Sequence, residues 1–399
     1  MTSTPDVVVV GAGAVDAACA WYLTEAGLSV TLIEQEGVGS GASTHATGFL
    51  SLLATDFQTE PHLRLGVESS RLTRELVPRI EELTGIDVLY QRRPSLRLAL
   101  EEAEEDLIRS SLEWQVRQVP AKWIDGEDVR AVEPRLSRRV RGAAFEAESA
   151  QLDSGRFTLA LVTAAERRGA DLLIRRANGL LREGDRVVGV RVPGGEVSAG
   201  AVVLAPGPWA AATSEWLGVP VPIRPLKGER LMLRLDEPPL AALISSPKRG
   251  HLISRRDGFL SAGSTAGRDF DDPHQYLARQ SGEFDLETTQ AALEELIERA
   301  TDVFPAVENA EVVQQLAGVR PLSPDRRPLI GAVPGVPGAY LATGHGTKGI
   351  HLAAVTGRLI ADLIADGRTD LPAALQPFDP GRFRDGAPAD ESTPRVTDD

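Results

Sequence analysis

The chain has 399 residues, 42% hydrophobic and 25% charged, a composition that suits a globular protein large enough for two interleaved domains. Its formal charge of −14 argues against a polyanionic partner such as nucleic acid. The single cysteine, Cys19, excludes an intramolecular disulfide and a cysteine-based metal cluster; no metal site is expected, and Cys19 reads as a small buried apolar residue.

The first strand begins about five residues in, which leaves no room for a secretory leader and makes the cytoplasm the expected location. The apolar run from Val7 to Val10 is far too short to cross a bilayer, so no membrane span is expected. Residues 6–41 read DVVVVGAGAVDAACAWYLTEAGLSVTLIEQEGVGSG. Asp6 to Val10 is a short apolar strand, and Gly11 and Gly13 open the turn after it. Ala14 to Ala26 has helical spacing and stops at Gly27, and Leu28 to Ile33 is a second strand closed by Glu34. Such a βαβ unit takes a pyrophosphate on the helix N-terminus: Gly11, Gly13 and Ala14 offer backbone N–H groups, and Glu34 accepts from a ribose hydroxyl. The third glycine of GxGxxG falls at position 16, where this chain has Asp16. A Cβ and a carboxylate there push helix and strand apart and set a negative charge near the phosphates. The two outcomes are a slightly tilted helix that tolerates the change and a weakened cofactor site.

Further along, GVGSGASTHATGF (residues 37–49) is a glycine- and hydroxyl-rich loop that can wrap a second phosphate with Ser43 and Thr44 and bring His45 to a ring system. Pro61 to Gly85 and Glu101 to Gln118 are polar amphipathic helices. Phe157 to Arg168 is a helix, Asp171 to Ile174 a strand, and Arg186 to Val192 with Glu196 to Ser198 a hairpin. Ala201 to Leu204 is a buried strand ending in APGPW, with Gly207 in the turn. Residues 220–269 alternate as strands, and Leu286 to Val303 is an acidic helix. Ala339 to Ala342 is a strand, TGHGTKG a glycine-rich turn, and Ile350 to Ala365 a long helix. The expected division is a cofactor domain from residues 1–75, 150–215 and 316–383, a second domain from 76–149 and 216–315, and a disordered tail from 384 to 399.

At this point the chain resembles the D-amino acid oxidase superfamily of FAD enzymes, which includes glycine oxidase, sarcosine oxidases and dehydrogenases, and D-amino acid dehydrogenases. The resemblance spans about residues 5–383. It rests on GAGAV with Glu34, the GSGAS loop, ELTGID, VVLAPGPW, RPLKGERLMLR, ISRRDGFLSAGST, GVRPLSPDRRPLIG and ATGHGTKGIHLAAVTGRLIADLI, in that order. It implies an α/β fold: an FAD-binding Rossmann-like domain of the glutathione-reductase-like ββα variant, with an inserted α+β substrate domain on a mixed antiparallel sheet.

The resemblance also implies FAD as cofactor. Gly344, Gly346, Lys348 and Gly349 would lie at the flavin edge, where a helix N-terminus suits the charge of reduced flavin. Arg320 falls where similar proteins hold the substrate carboxylate, and His251, Lys348 and His351 are candidates for the same pocket. His45 in THATG is similar to a segment reading roughly WHAAG, through whose histidine some relatives attach FAD covalently; a non-covalent polar contact is the alternative. The implied activity is oxidation of the C–N bond of a small amino acid or N-alkyl amino acid (glycine, sarcosine or D-amino acid type) by hydride transfer to flavin N5, giving an imine that hydrolyses. Oxygen or another electron acceptor would complete the cycle. The alternatives are a same-family dehydrogenase with a quinone or protein acceptor, and a weakly active flavoprotein subunit of a larger complex. The expected partners are thus a small-molecule substrate and an acceptor, in a homo- or hetero-oligomer.

Overall fold

Four consecutive valines form β1 (Val7–Val10), buried on both faces as the centre of a parallel sheet requires. In the computed structural model, which describes residues 4–53, 57, 59–265, 284–371 and 375–384, β1 pairs in parallel with β2 (Val30–Glu34) on one side. The connecting helix α1 (Ala14–Glu25) is buried over nearly its whole surface. It packs against two further helices, α5 (Ser154–Arg167) and α8 (Gly349–Ala365). The approach to α8 is close: a Cβ on Gly357 would sit 2.5 Å from the Ala18 carbonyl carbon.

The six-stranded sheet is completed by β6 (Asp171–Ile174), β10 (Ala201–Leu204), β16 (Leu329–Ala332) and β17 (Ala339–Thr343), in the order β16-β17-β10-β1-β2-β6. Its strands come from three separated parts of the chain. A small antiparallel meander, β7 (Gly179–Glu183), β8 (Arg186–Val192) and β9 (Gly195–Ser198), leads into β10.

A second sheet of eight strands has the order β15-β11-β14-β13-β12-β3-β5-β4. Its members are β3 (Gln91–Ala99), β4 (Ala121–Asp125), β5 (Gly142–Gln151), β11 (Arg224–Arg234), β12 (Leu243–Ser246), β13 (Gly250–Ser254), β14 (Leu260–Gly263) and β15 (Glu311–Leu322). Only the β12–β3 pair is parallel. The long helix α2 (Glu60–Thr84) packs on α8 and α5, and α7 (Gln290–Val303) contributes Leu296, Ala300 and Val303 to the core under the second sheet.

One assignment differs from the sequence reading. β15 pairs with β11 along its length, so residues 316–322 belong to the second sheet rather than to the cofactor stretch. The local pattern of a strand does not reveal its partner, and β11 lies about 90 residues away in sequence. The tail from 385 onward lies outside the described residues. Among the described residues no helix is long and apolar enough to cross a membrane.

Candidate active site

A cavity of about 510 Å³ runs from the glycine turn after β1 to the start of α8, lined by residues of both sheets. At the turn, Gly11 has φ +119°, a conformation other residues adopt only with strain, and donates its N–H to Ile33 at 2.8 Å. The next three N–H groups end on side-chain oxygens. Ala12 donates to Glu34 Oε2 at 3.0 Å, Gly13 to Asp16 Oδ2 at 2.7 Å, and Ala14 to Ser43 Oγ at 3.0 Å. Glu34 is buried, and its Oε1 accepts from the Glu36 N–H at 2.9 Å, which fixes the carboxylate at the end of β2.

The Asp16 carboxylate folds back onto the helix's own N-terminus, where Oδ2 caps the Gly13 N–H. Oδ1 is buried with no hydrogen-bond partner, 2.3 Å from where a Cβ on Gly11 would stand. Burial, reinforced by the nearby Glu34 carboxylate, pushes the Asp16 carboxyl well above the usual range. The cradle therefore has the bare glycines, helix N-terminus and ribose-type acid that a dinucleotide requires, with a buried carboxyl in its floor.

The 37–49 loop crosses the cavity. Ser43 and His45 line it; Thr44 does not, because its hydroxyl turns back to the Gly39 carbonyl at 3.0 Å and its methyl packs on Gly39 and Gly155. His45 points Nδ1 at the Gly41 carbonyl at 3.0 Å, and partial burial lowers its pKa. Gly207, with φ +55°, lines the wall beside Trp209, whose ring stacks on Phe284 at 4.4 Å.

At the far end, Gly346, Lys348 and Gly349 line the cavity, while Gly344, with φ +78°, instead faces Ile223 and Leu329. Lys348 Nζ lies 5.0 Å from the Phe57 ring centre. His351 does not reach the cavity. Its Nε2 meets Ser70 Oγ at 2.8 Å on α2, and its ring packs edge-on against Phe57, 5.3 Å between centres. Loss of water, followed by Lys348, holds the His351 ring at about 3, so it is a neutral packing residue.

The second sheet brings Arg320 and His251 together. Arg320 Nη2 donates to Ser264 Oγ at 2.9 Å, and Nη1 lies over Gly228, 2.2 Å from the position a Cβ would take there. His251 on β13 lines the same cavity; its Nε2 has no hydrogen-bond partner. Loss of water, then the cations Arg230, Arg320 and Lys348, hold this ring at about 3.

A family model described as FAD-dependent oxidoreductase, the DAO family, matches residues 6–363. The chain belongs to this family. It is 32% identical over 377 residues to a glycine oxidase of Pseudomonas aeruginosa, covering 93% of this chain and 98% of that one. The crystal structure of glycine oxidase from Geobacillus kaustophilus superposes with a TM-score of 0.85 at 29% identity, covering 94% and 98% of the two chains. That of L-proline dehydrogenase from P. horikoshii superposes with a TM-score of 0.84 at 26% identity, covering 97% and 100%.

The protein is thus a DAO-family enzyme with FAD as cofactor, and the cavity has the residues to hold it along its length. Sequence reading overlooked two cavity residues on the second sheet, Arg97 and Arg230. The signal for Arg230 was present: in RPLKGERLMLR, Gly228 and Arg230 share one face of a strand, so the arginine had to flank the bare glycine.

Proposed function

We propose that this DAO-family enzyme oxidises the C–N bond of a small amino acid or N-alkyl amino acid. The observation that carries this reading is the bed of Arg320: a guanidinium laid over bare Gly228, steadied by Ser264, on the wall shared with His251 and Lys348. A guanidinium so held presents a fork that matches a carboxylate. Anchoring the carboxylate there fixes the α-carbon relative to the cofactor and removes the orientational entropy that free reactants would lose.

FAD, when bound, supplies the two-electron acceptor for the hydride leaving the α-carbon. The substrate nitrogen must surrender a proton for C=N to form, and Arg230, Arg320 and Lys348 help by disfavouring an ammonium among them. His251 stays neutral at physiological pH, so it hydrogen-bonds the substrate without adding charge. Water then adds to the C=N bond and releases a carbonyl acid with ammonia or an alkylamine. The names of the relatives, glycine oxidase and L-proline dehydrogenase, agree with amino-acid C–N oxidation and divide over the acceptor.

The test is a panel of glycine, sarcosine, D-amino acids and proline derivatives, scored for carbonyl acid and amine release. Peroxide formed in step with substrate in air assigns an oxidase; turnover only with an added dye or quinone assigns a dehydrogenase. No carbonyl product from any member overturns the reading. His45 is proposed as a non-covalent contact, because its Nδ1 is engaged by Gly41. A tryptic digest free of a flavin-bearing His45 peptide is expected, and such a peptide would contradict it.

A further inference from the structure

The paired glycines Gly228 and Gly318 leave one rung of the β11–β15 ladder without side chains, and Arg320 and Arg230, from the two strands of that ladder, both line the cavity beside it. Arg320 lies over Gly228. Arg230 stands two residues beyond Gly228 on the same strand face and donates Nε to the His45 carbonyl at 2.8 Å. The His45 side chain in turn rests on Gly318, its Cβ 2.5 Å from where a Cβ there would stand. A second link closes the arrangement. Arg230 pairs with Gly263, whose neighbour Ser264 accepts from Arg320.

The carboxylate of an amino acid accounts for Arg320 but not for Arg230. Arg230 is 6% exposed and faces the cavity, yet it has no carboxylate partner among the described residues. Its Nη1 meets only Met232 Sδ at 2.9 Å and Ser261 Oγ at 3.4 Å, and its Nη2 has no hydrogen-bond partner among them. Burial, then Arg255, brings its pKa down to about 10, which leaves it a cation at neutral pH. Asp153 and Asp257 pull the other way without touching it, and a buried guanidinium with no carboxylate in contact is costly where an apolar residue of similar length would pack at less expense. A ligand anion at the cavity would offset that cost.

We propose that Arg230 and Arg320 form a two-anion site, so that the preferred substrate is a short amino dicarboxylic acid, its α-carboxylate on Arg320 and its second carboxylate on Arg230. This rests on the amino-acid oxidation reading above. Monocarboxylic substrates leave Arg230 uncompensated and bind more weakly.

The test compares the wild-type holoenzyme with Arg230→Met and Arg230→Lys. Substrates are D-aspartate, D-glutamate and iminodiacetate against glycine, sarcosine and D-alanine. The wild-type enzyme should favour the dicarboxylates, and Arg230→Met should lower the ratio of dicarboxylate to monocarboxylate kcat/KM about 100-fold, mainly through KM, with partial recovery in Arg230→Lys. Should Arg230→Met lose its flavin, the wild-type preference and Arg230→Lys decide. Malonate and succinate, followed by the change they cause in the flavin absorption spectrum, give a binding readout independent of turnover. A wild-type preference for monocarboxylates, or equal losses for all substrates, overturns the proposal and assigns Arg230 to the cofactor. If no amino acid is oxidised but dicarboxylate binding still depends on Arg230, the two-anion site stands and the oxidation reading fails.

Discussion

Asp16 is a carboxyl in a cradle built for phosphate, and its geometry gives cofactor binding a pH dependence. Burial, reinforced by Glu34, shifts it toward the protonated form, which suits a bound pyrophosphate better than the carboxylate anion would. FAD affinity should therefore weaken as pH rises. Asp16→Asn keeps an oxygen to cap Gly13 but carries no charge, so it should bind FAD about tenfold more tightly at pH 8, with a flatter pH profile. Fluorescence titration of apoprotein measures this; identical profiles for the two proteins would show that the carboxyl does not sense the phosphates. A second prediction concerns Gly228. A methyl there would run into the Arg320 guanidinium, so Gly228→Ala should retain FAD but lose about tenfold or more in kcat/KM, mostly in KM. Unchanged kinetics would remove Arg320 from substrate binding.

At the scale of elements, α8 and the turn before it hold two histidines away from water. His345 Nε2 meets Thr356 Oγ1 at 3.0 Å, and His351 lies between α8 and α2. Burial, followed by neighbouring charge, holds each at about 3, against an ordinary value of 6.5. The unfolded chain therefore takes up protons first as pH falls. The stability these rings contribute is complete above 6.5 and is lost progressively between there and about 3. His345→Gln should cost about 1–2 kcal/mol at pH 7 but lose less stability than wild type between pH 7 and pH 4, read by urea unfolding at saturating FAD. An equal loss in both would place the acid sensitivity elsewhere. The same helix shows what sequence hides. Lys348 and His351 are three residues apart and both approach Phe57, yet only Lys348, at the helix cap, opens onto the cavity. Similarly, adjacent Ser43 and Thr44 diverge, one to the phosphate turn and the other to the Gly39 carbonyl. Type and spacing were legible; direction required the packing.

Across the whole molecule, the first βαβ unit was legible because its signals are local: four valines, a glycine turn and an acid at the end of the next strand. The second sheet was legible as strands but not as a sheet. Its order joins β12 to β3 and β15 to β11 across about 150 and 90 residues, and only tertiary pairing supplies that information. The seat of Arg320 over Gly228 depends on this pairing, so Arg320 was legible only through resemblance, whereas the local signal for Arg230, a strand face shared with Gly228, was present but not read. The central claim is that this fold sets an amino-acid α-carbon against bound FAD. Anaerobic titration of the purified holoprotein with amino acids, following the visible flavin band, tests it most directly. The account predicts that the band bleaches with substrate and that amine and carbonyl acid appear in equal amounts. A flavin that dithionite bleaches but no amino acid does would contradict it.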